Sequence, residues 1–227
     1  MKRSWILVTV GVAIVTGAAF FFRRNATTRQ LDSALTLVVE EPPQAQSTVE
    51  PGIFYPMTRY EKRLTVRWYG KDVRAEEAAT LPCADPFVGF HTADDLEVKS
   101  DELALPLSVF AMADGTVRQV DHVNGYGGLI VLEHLLNGET VTTYYGHIDT
   151  GTTTLEEGDP VSAGEKIAEL ADHCSADSSN ERKHLHFGIH NDADIDVRGY
   201  VQTKEELSGW VNPKDFLKSL NAVEPPE

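Results

Sequence analysis

The sequence predicts a mostly β domain, an antiparallel β sandwich or partly open barrel, behind an N-terminal transmembrane helix. Three observations carry this. Short stretches of alternating or continuous apolar residues recur between Gly52 and Leu220, each bounded by Gly, Pro, Asn or Asp. Helical periodicity is scarce over the same span. An uncharged apolar run, Ser4 to Phe22, stands apart at the start of the chain. A length of 227 residues suits one domain with appendages.

Met1-Lys2-Arg3 precedes the apolar run and Arg23-Arg24 ends it. As a helix the run spans about 28 Å, close to the thickness of a bilayer core. Residues 1–24 therefore read as an uncleaved anchor. A cleaved signal peptide is the competing reading, because Gly17-Ala18-Ala19 offers small residues to a peptidase. Phe20-Phe21-Phe22 continues the apolar run past that point and favours the anchor. Both flanks are basic, so the charges do not orient it. Residues 25–50 are polar, with Glu40-Glu41-Pro42-Pro43, and read as a flexible linker. The folded domain takes residues 51–227.

Within that domain Leu64–Tyr69 alternates as a strand does. Gly115–Val120 follows the turn Ala113-Asp114-Gly115. Gly125-Tyr126-Gly127-Gly128 leads into Leu129–His134, and Asn137-Gly138 is a hairpin turn into Thr140–Ile148. Val161 sits between Gly158-Asp159-Pro160 and Ala163-Gly164, and Lys166–Leu170 follows. His184–His190 splits with a period of two: Leu185, Phe187 and Ile189 on one face, His184, His186 and His190 on the other. Short helices are expected at Lys204–Ser208 and Pro213–Leu220.

The formal net charge is −15, and residues 25–227 alone carry −19, because residues 1–24 hold four basic side chains and no acid. Nucleic-acid binding wants a basic face, so this charge argues against it.

A core needs no row of imidazoles, so the histidine face suggests a site. Candidate partners fall in three other places. His91 and Asp95 are four apart, with Asp94 and Glu97 as alternatives. Tyr144-Tyr145-Gly146-His147 ends a strand on which Val141, Thr143, Tyr145 and His147 share a face. His173-Cys174 borders a polar loop. Hydrolytic zinc takes three ligands from His, Asp and Glu and keeps one position for water. A set of His91, Asp95 and His186 leaves such a metal acidic enough to ionise water near neutral pH. His184 and His147 would then stand near the water and the developing oxyanion. No His-Glu-x-x-His helix is present, which excludes the helical zinc-protease arrangement.

Taken in order, Gly89-Phe90-His91 with Asp95, then Tyr145-Gly146-His147, then His184-Leu185-His186-Phe187 resemble the signature of the M23 peptidases, the lysostaphin or LytM-type metallo-endopeptidases. Ala113-Asp114-Gly115, Gly125-Tyr126-Gly127-Gly128, Gly158-Asp159 with Val161 and Gly164, and Asn212-Pro213 match as well. The resemblance covers roughly residues 86–217. It implies a β-rich fold with a groove and one zinc ion per chain. It also implies hydrolysis of peptide bonds in peptidoglycan stems or cross-bridges through a zinc-activated water. Carried over residue by residue, the metal falls to His91, Asp95 and His186, and the catalytic histidines are His147 and His184. The segment departs from the family at Ala93 and Asp94. Asp94 is expected to alternate away from Asp95 and to bind no metal. Asp172–Lys183 replaces a Gly-Ser-Thr-rich loop and would form one groove wall, which puts the family's usual peptide preference in question. Asp192–Trp210 reads as added decoration.

The implied partners are a peptidoglycan peptide and, through the N-terminal helix, a membrane; regulatory protein partners are unspecified. The expected location is the cell membrane, single-pass, with the catalytic domain extracytoplasmic, or secretion if the signal is cleaved. Cys83 and Cys174 both lead into the site, and a disulfide between them would clip two loops at the groove rim. A second metal site of Cys83, His173 and Cys174 is the lesser reading. Among the other residues, His134 is expected to be structural, His190 to lie at the surface or behind the ligands, and Tyr145 to be packed. His122 shows no pattern. Two rival functions remain. A non-catalytic LytM-type wall-binding or hydrolase-activating protein would typically lack zinc ligands, whereas all five motif positions are present here. A lipoyl or biotinyl carrier shares Gly115-Thr116-Val117 but needs a lysine at a hairpin tip, where this chain has Asn137-Gly138-Glu139.

Overall fold

Turn-bounded alternation produces thirteen short strands among the described residues of the computed structural model, which are 52–63, 66–79, 83 and 87–226. The expected anchor and the linker lie outside them. No helix among the described residues is long and apolar enough to cross a membrane. The strands are β1 (Asp72–Val73), β2 (Gly89–His91), β3 (Ala93–Glu97), β4 (Ser108–Phe110), β5 (Gly115–Val123), β6 (Gly127–Leu136) and β7 (Glu139–Gly146). Then follow β8 (Ile148–Asp149), β9 (Pro160–Val161), β10 (Lys166–Leu170), β11 (His184–His190), β12 (Tyr200–Val201) and β13 (Trp210–Val211). Two helices, α1 (Ala75–Ala78) and α2 (Pro213–Ser219), accompany them.

The main sheet runs β13-β11-β7-β6-β5-β9, and β3 also pairs with β11. Smaller sheets are β1-β2-β12 and β4-β10-β8. Every named pair is antiparallel. No closed barrel forms among the described residues. The hairpin between β6 and β7 turns at Asn137 and Gly138, both with positive φ (53° and 85°). Those are the conformations that a two-residue turn of matching twist demands.

Three expected elements differ. The described part of Leu64–Tyr69 is irregular. The Tyr69 N–H that a ladder would use donates instead to the Asp94 carboxylate (2.9 Å). Lys204–Ser208 is replaced by a single 3-10 turn over Glu206–Gly209. Thr140–Ile148 is broken at His147, whose φ is 60°, so β7 ends at Gly146 and β8 restarts at Ile148. Helix α2 starts as expected. Asn212 accepts from Asp215 N–H (3.2 Å) and Pro213 occupies the first turn, where its missing N–H costs nothing.

Leu185, Phe187 and Ile189 enter one cluster with Leu96, Ile130, Leu132 and Ile148. All seven residues of β11 are buried, because β3 and β13 flank one edge and β7 the other. The histidine face of β11 is thus enclosed rather than solvated. Phe187→Ala should lower the unfolding free energy by about 3–5 kcal/mol, the range for deleting a fully buried aromatic ring. Urea denaturation followed by tryptophan fluorescence measures it; a loss under 1 kcal/mol would contradict this core assignment.

Candidate metal centre

The register of β3 against β11 sets Asp95 directly opposite His186, with His184 opposite Glu97. Directly paired residues share a face, so Asp95 and His186 stand side by side. On its other edge His186 pairs with Gly146. A side chain at position 146 would collide with the Tyr126 ring and press on His186. His91 ends β2, opposite Tyr200 of β12, and the single residue Thr92 carries the chain into β3.

Three donor atoms converge. His91 Nε2 lies 3.2 Å from His186 Nδ1 and 3.4 Å from Asp95 Oδ1; His186 Nδ1 lies 3.3 Å from Asp95 Oδ1. Asp95 Oδ1 is buried and has no hydrogen bond among the described residues. Tetrahedral bonds of about 2.0–2.1 Å place ligands about 3.3–3.4 Å apart, so the residues present fit one zinc-sized ion. The imidazole rings are held by neighbouring aromatics: His186 edge-on to Tyr126 and His91 against Tyr200, each at 4.9 Å between centroids.

Arg182 orients the carboxylate. Its Nη2 donates to Asp95 Oδ2 (2.7 Å) and to Glu97 (2.7 Å), which turns Oδ1 toward the imidazoles. Burial alone would raise the Asp95 pKa, but His184, His91 and Arg182 hold it well below the usual carboxylate range. Burial, against the opposing pull of Asp95, lowers His186 to about 4. Near neutral pH the set is therefore one anion and a neutral imidazole ready to ligate.

His147 and His184 stand beside the triad with their rings 4.3 Å apart. His147 Nδ1–H donates to Ser178 O (3.0 Å) and His184 Nδ1–H to Arg182 O (2.7 Å). In the neutral His147 ring this leaves Nε2 without a proton, whereas His184 Nε2 lies 3.4 Å from Asp95 Oδ2. Burial, then the neighbouring His184 and His186, keeps His147 well below an ordinary histidine. The positive φ of His147 is clamped: its N–H donates to Tyr126 O (2.9 Å), and its own carbonyl accepts from Ala171 N–H (3.0 Å). This break turns the His147 ring into the site and separates it from Tyr145, which instead packs in the core.

His147, His184, His186 and Asp95 line a cleft of about 220 Å³. Phe87, Val88 and Val197 form an apolar wall, and Arg67, Glu181 and Tyr200 a polar one. Asp192–Trp210 is therefore more than decoration, since Val197 and Tyr200 belong to it. Cys83 and Cys174 are joined, with Cα atoms 5.6 Å apart, which ties the approach to Phe87 to the loop carrying Ser178 and Glu181. His173 Nε2 lies 3.8 Å from Cys83 Sγ, but both sulfurs are committed to the bond, which leaves no thiolate for a second metal.

Asp94 faces away from the triad and accepts from Tyr69 N–H. His190 is buried, not at the surface; it bonds Asp192 (3.1 Å) and meets Trp210 edge-on. His134 is buried between Asp114 O (2.9 Å) and Thr143 Oγ1 (2.8 Å), a structural position. His122 is exposed beside Asp177. Sequence reasoning gave no role to Arg182, although the period-two row of His186 and His184 extends back to it. Nothing local flagged Arg67, Tyr126 or Tyr200.

A model of Peptidase family M23 matches residues 89–197. No curated protein matches the chain. Among solved structures, LytU is 19% identical, with 69% of this chain and 86% of that chain covered and a TM-score of 0.47. A chain of the SpoIIIAH–SpoIIQ complex is 22% identical, covering 73% and 99%, at 0.49. A zinc-containing peptidase from Vibrio cholerae is 20% identical, covering 61% and 37%, at 0.42. Residues 89–197, which contain His91, Asp95, His147, His184 and His186, are a domain of peptidase family M23.

Proposed function

We propose that this protein is a zinc metallo-endopeptidase that hydrolyses peptide bonds of peptidoglycan at the outer face of the cell membrane, held there by residues 1–24. The observation that carries the reading is the donor triangle of His91, Asp95 and His186, with edges of 3.2–3.4 Å and a bare buried carboxylate oxygen. His91, Asp95 and His186 would hold the zinc. When bound, zinc supplies Lewis acidity toward a carbonyl oxygen and toward water.

The remaining chemistry belongs to side chains of the chain itself. Arg182 keeps Asp95 ionised and oriented. The carbonyls of Ser178 and Arg182 hold the Nδ1 protons of His147 and His184; His147 Nε2 is left to accept a proton, and His184 Nε2 lies 3.4 Å from Asp95 Oδ2. One of these nitrogens takes the proton of the attacking water. The imidazolium so formed passes that proton to the leaving amine as the C–N bond breaks. The enclosing cleft strengthens these interactions by excluding water. The Cys83–Cys174 bond suits an oxidising, extracytoplasmic compartment.

His186→Ala should lose both bound zinc and activity. His147→Ala should keep its zinc and lose about 10²- to 10⁴-fold in rate. Elemental analysis of the purified variants and mass spectrometry of fragments released from peptidoglycan read the two effects. Full activity in both variants would sink the proposal; intact zinc with no hydrolysis by the wild type would favour a wall-binding or activating role.

A pH prediction comes from the same groups. An unfolded histidine titrates near about 6.5, whereas folded His186 titrates at about 4 and His147 is also depressed. Between those values the unfolded chain binds more protons, so stability present above pH ~6.5 falls as pH drops toward 4. Asp95, depressed below its unfolded value of about 3.9, extends the loss further into acid. Urea midpoints of the chelator-treated protein at pH 7.5 and pH 5 test the sign; a higher midpoint at pH 5 would refute it.

A further inference from the structure

We propose that Arg67 makes this cleft selective for peptides that carry a free carboxylate beside the scissile bond. The inference rests on the peptidase reading and adds a specificity-determining residue to it.

Arg67 lies outside residues 89–197, in the irregular segment before them. Its carbonyl accepts from Asp95 N–H (2.9 Å), which fixes its backbone against the strand that presents the carboxylate ligand. The next residue, Trp68, is 52% exposed, while Arg67 is 3% exposed. The guanidinium is thus turned inward. Nη1 donates to Tyr200 Oη (2.7 Å), and the Tyr200 ring rests on His91. One tyrosine therefore separates the guanidinium from the donor triangle, and Arg67, Tyr200, Glu181 and Asp95 line a single cleft.

Arg67 Nη2 is buried and has no hydrogen bond among the described residues. The other buried arginines are engaged. Arg63 bonds Glu102 through both terminal nitrogens as well as two backbone carbonyls, and Arg182 is taken by Asp95, Glu97 and Glu181. Glu181 does not complete Arg67: its nearer oxygen is 3.7 Å from Nη1, beyond hydrogen-bonding distance. Arg198, the other cation lining the cleft, is clasped by Asp196 and Glu206. A buried donor with no partner is costly, and one at a cleft wall is completed when a ligand brings an acceptor. A planar guanidinium matches a carboxylate in shape as well as charge. In a chain of net charge −15, acidic ligands gain nothing from the overall field, so their recognition needs such a local cation.

The test uses the full zinc-loaded chain with His147→Ala, so that ligands are not turned over. Titration calorimetry compares soluble muropeptides with the same muropeptides after conversion of their carboxylates to amides. The free acids should bind about 10- to 100-fold more tightly, the range for one charge-assisted hydrogen-bonded pair. Arg67→Gln should abolish that preference, and Arg67→Lys, which keeps the charge without the fork, should retain part of it. Equal affinity for acids and amides, or no binding of either, overturns the proposal. So does a folded Arg67→Gln protein that keeps the preference, since zinc and not Arg67 would then supply it. If Arg67→Gln does not fold, Arg67→Lys decides, an undiminished preference counting against the guanidinium. Failure of the peptidase reading looks different: the His147-intact protein would bind the acids through Arg67 and release no fragments.

Discussion

The pairing of β3 with β11 is the constraint on which the rest of the site depends. On one face of this ladder Leu185 meets Leu96, and both are fully buried in the core. On the other face His186 meets Asp95. The two faces are locked together, because a slip of one residue would exchange them. Each leucine gains about 1.5–3 kcal/mol from burial, and a slip would also drive a carboxylate and an imidazole into hydrocarbon. Ordinary hydrophobic burial therefore holds the ligands in register.

Behind the ligands lies a buried charge network. Arg182 reaches Asp95, Glu97 and Glu181, and Arg67 approaches Glu181 from the other side. Such networks are weak sources of net stability, since desolvation offsets much of their attraction. Their effect here is directional: with one Asp95 oxygen engaged by a guanidinium, the other must face the two imidazoles. The loop that supplies Arg182, Ser178 and Glu181 is pinned by the Cys83–Cys174 bond, so one segment orients the carboxylate, fixes the His147 tautomer and shapes the cleft wall.

His147 shows how backbone strain serves the arrangement. A left-handed conformation is unfavourable for a residue with a side chain and persists when its surroundings over-determine it. Hydrogen bonds from both sides of the peptide do so here. The result is a β7 strand that delivers Tyr145 to the core and, two residues later, an imidazole to the cleft, where unbroken alternation would have put both on one face.

Much of this was legible in the sequence. Period-two alternation, the Asn137-Gly138 turn and the Asn212-Pro213 cap are local properties of neighbouring residues, and they located most strands and the final helix. Spacing and side-chain chemistry brought forward His91, Asp95, His147, His184 and His186 among other candidates, and the resemblance to the M23 peptidases assigned them as a group. Of the three elements that differed, two did so for a physical reason seen in the structure. The Tyr69 N–H bonds a side chain instead of a strand, and His147 takes a conformation that no propensity favours. Only the tertiary structure decided that Arg67 and Tyr200, 133 positions apart, would meet at the cleft, and that Arg182 would set the direction of Asp95. Those outcomes depend on which distant strands become neighbours in space, a relation that no local pattern of residues encodes.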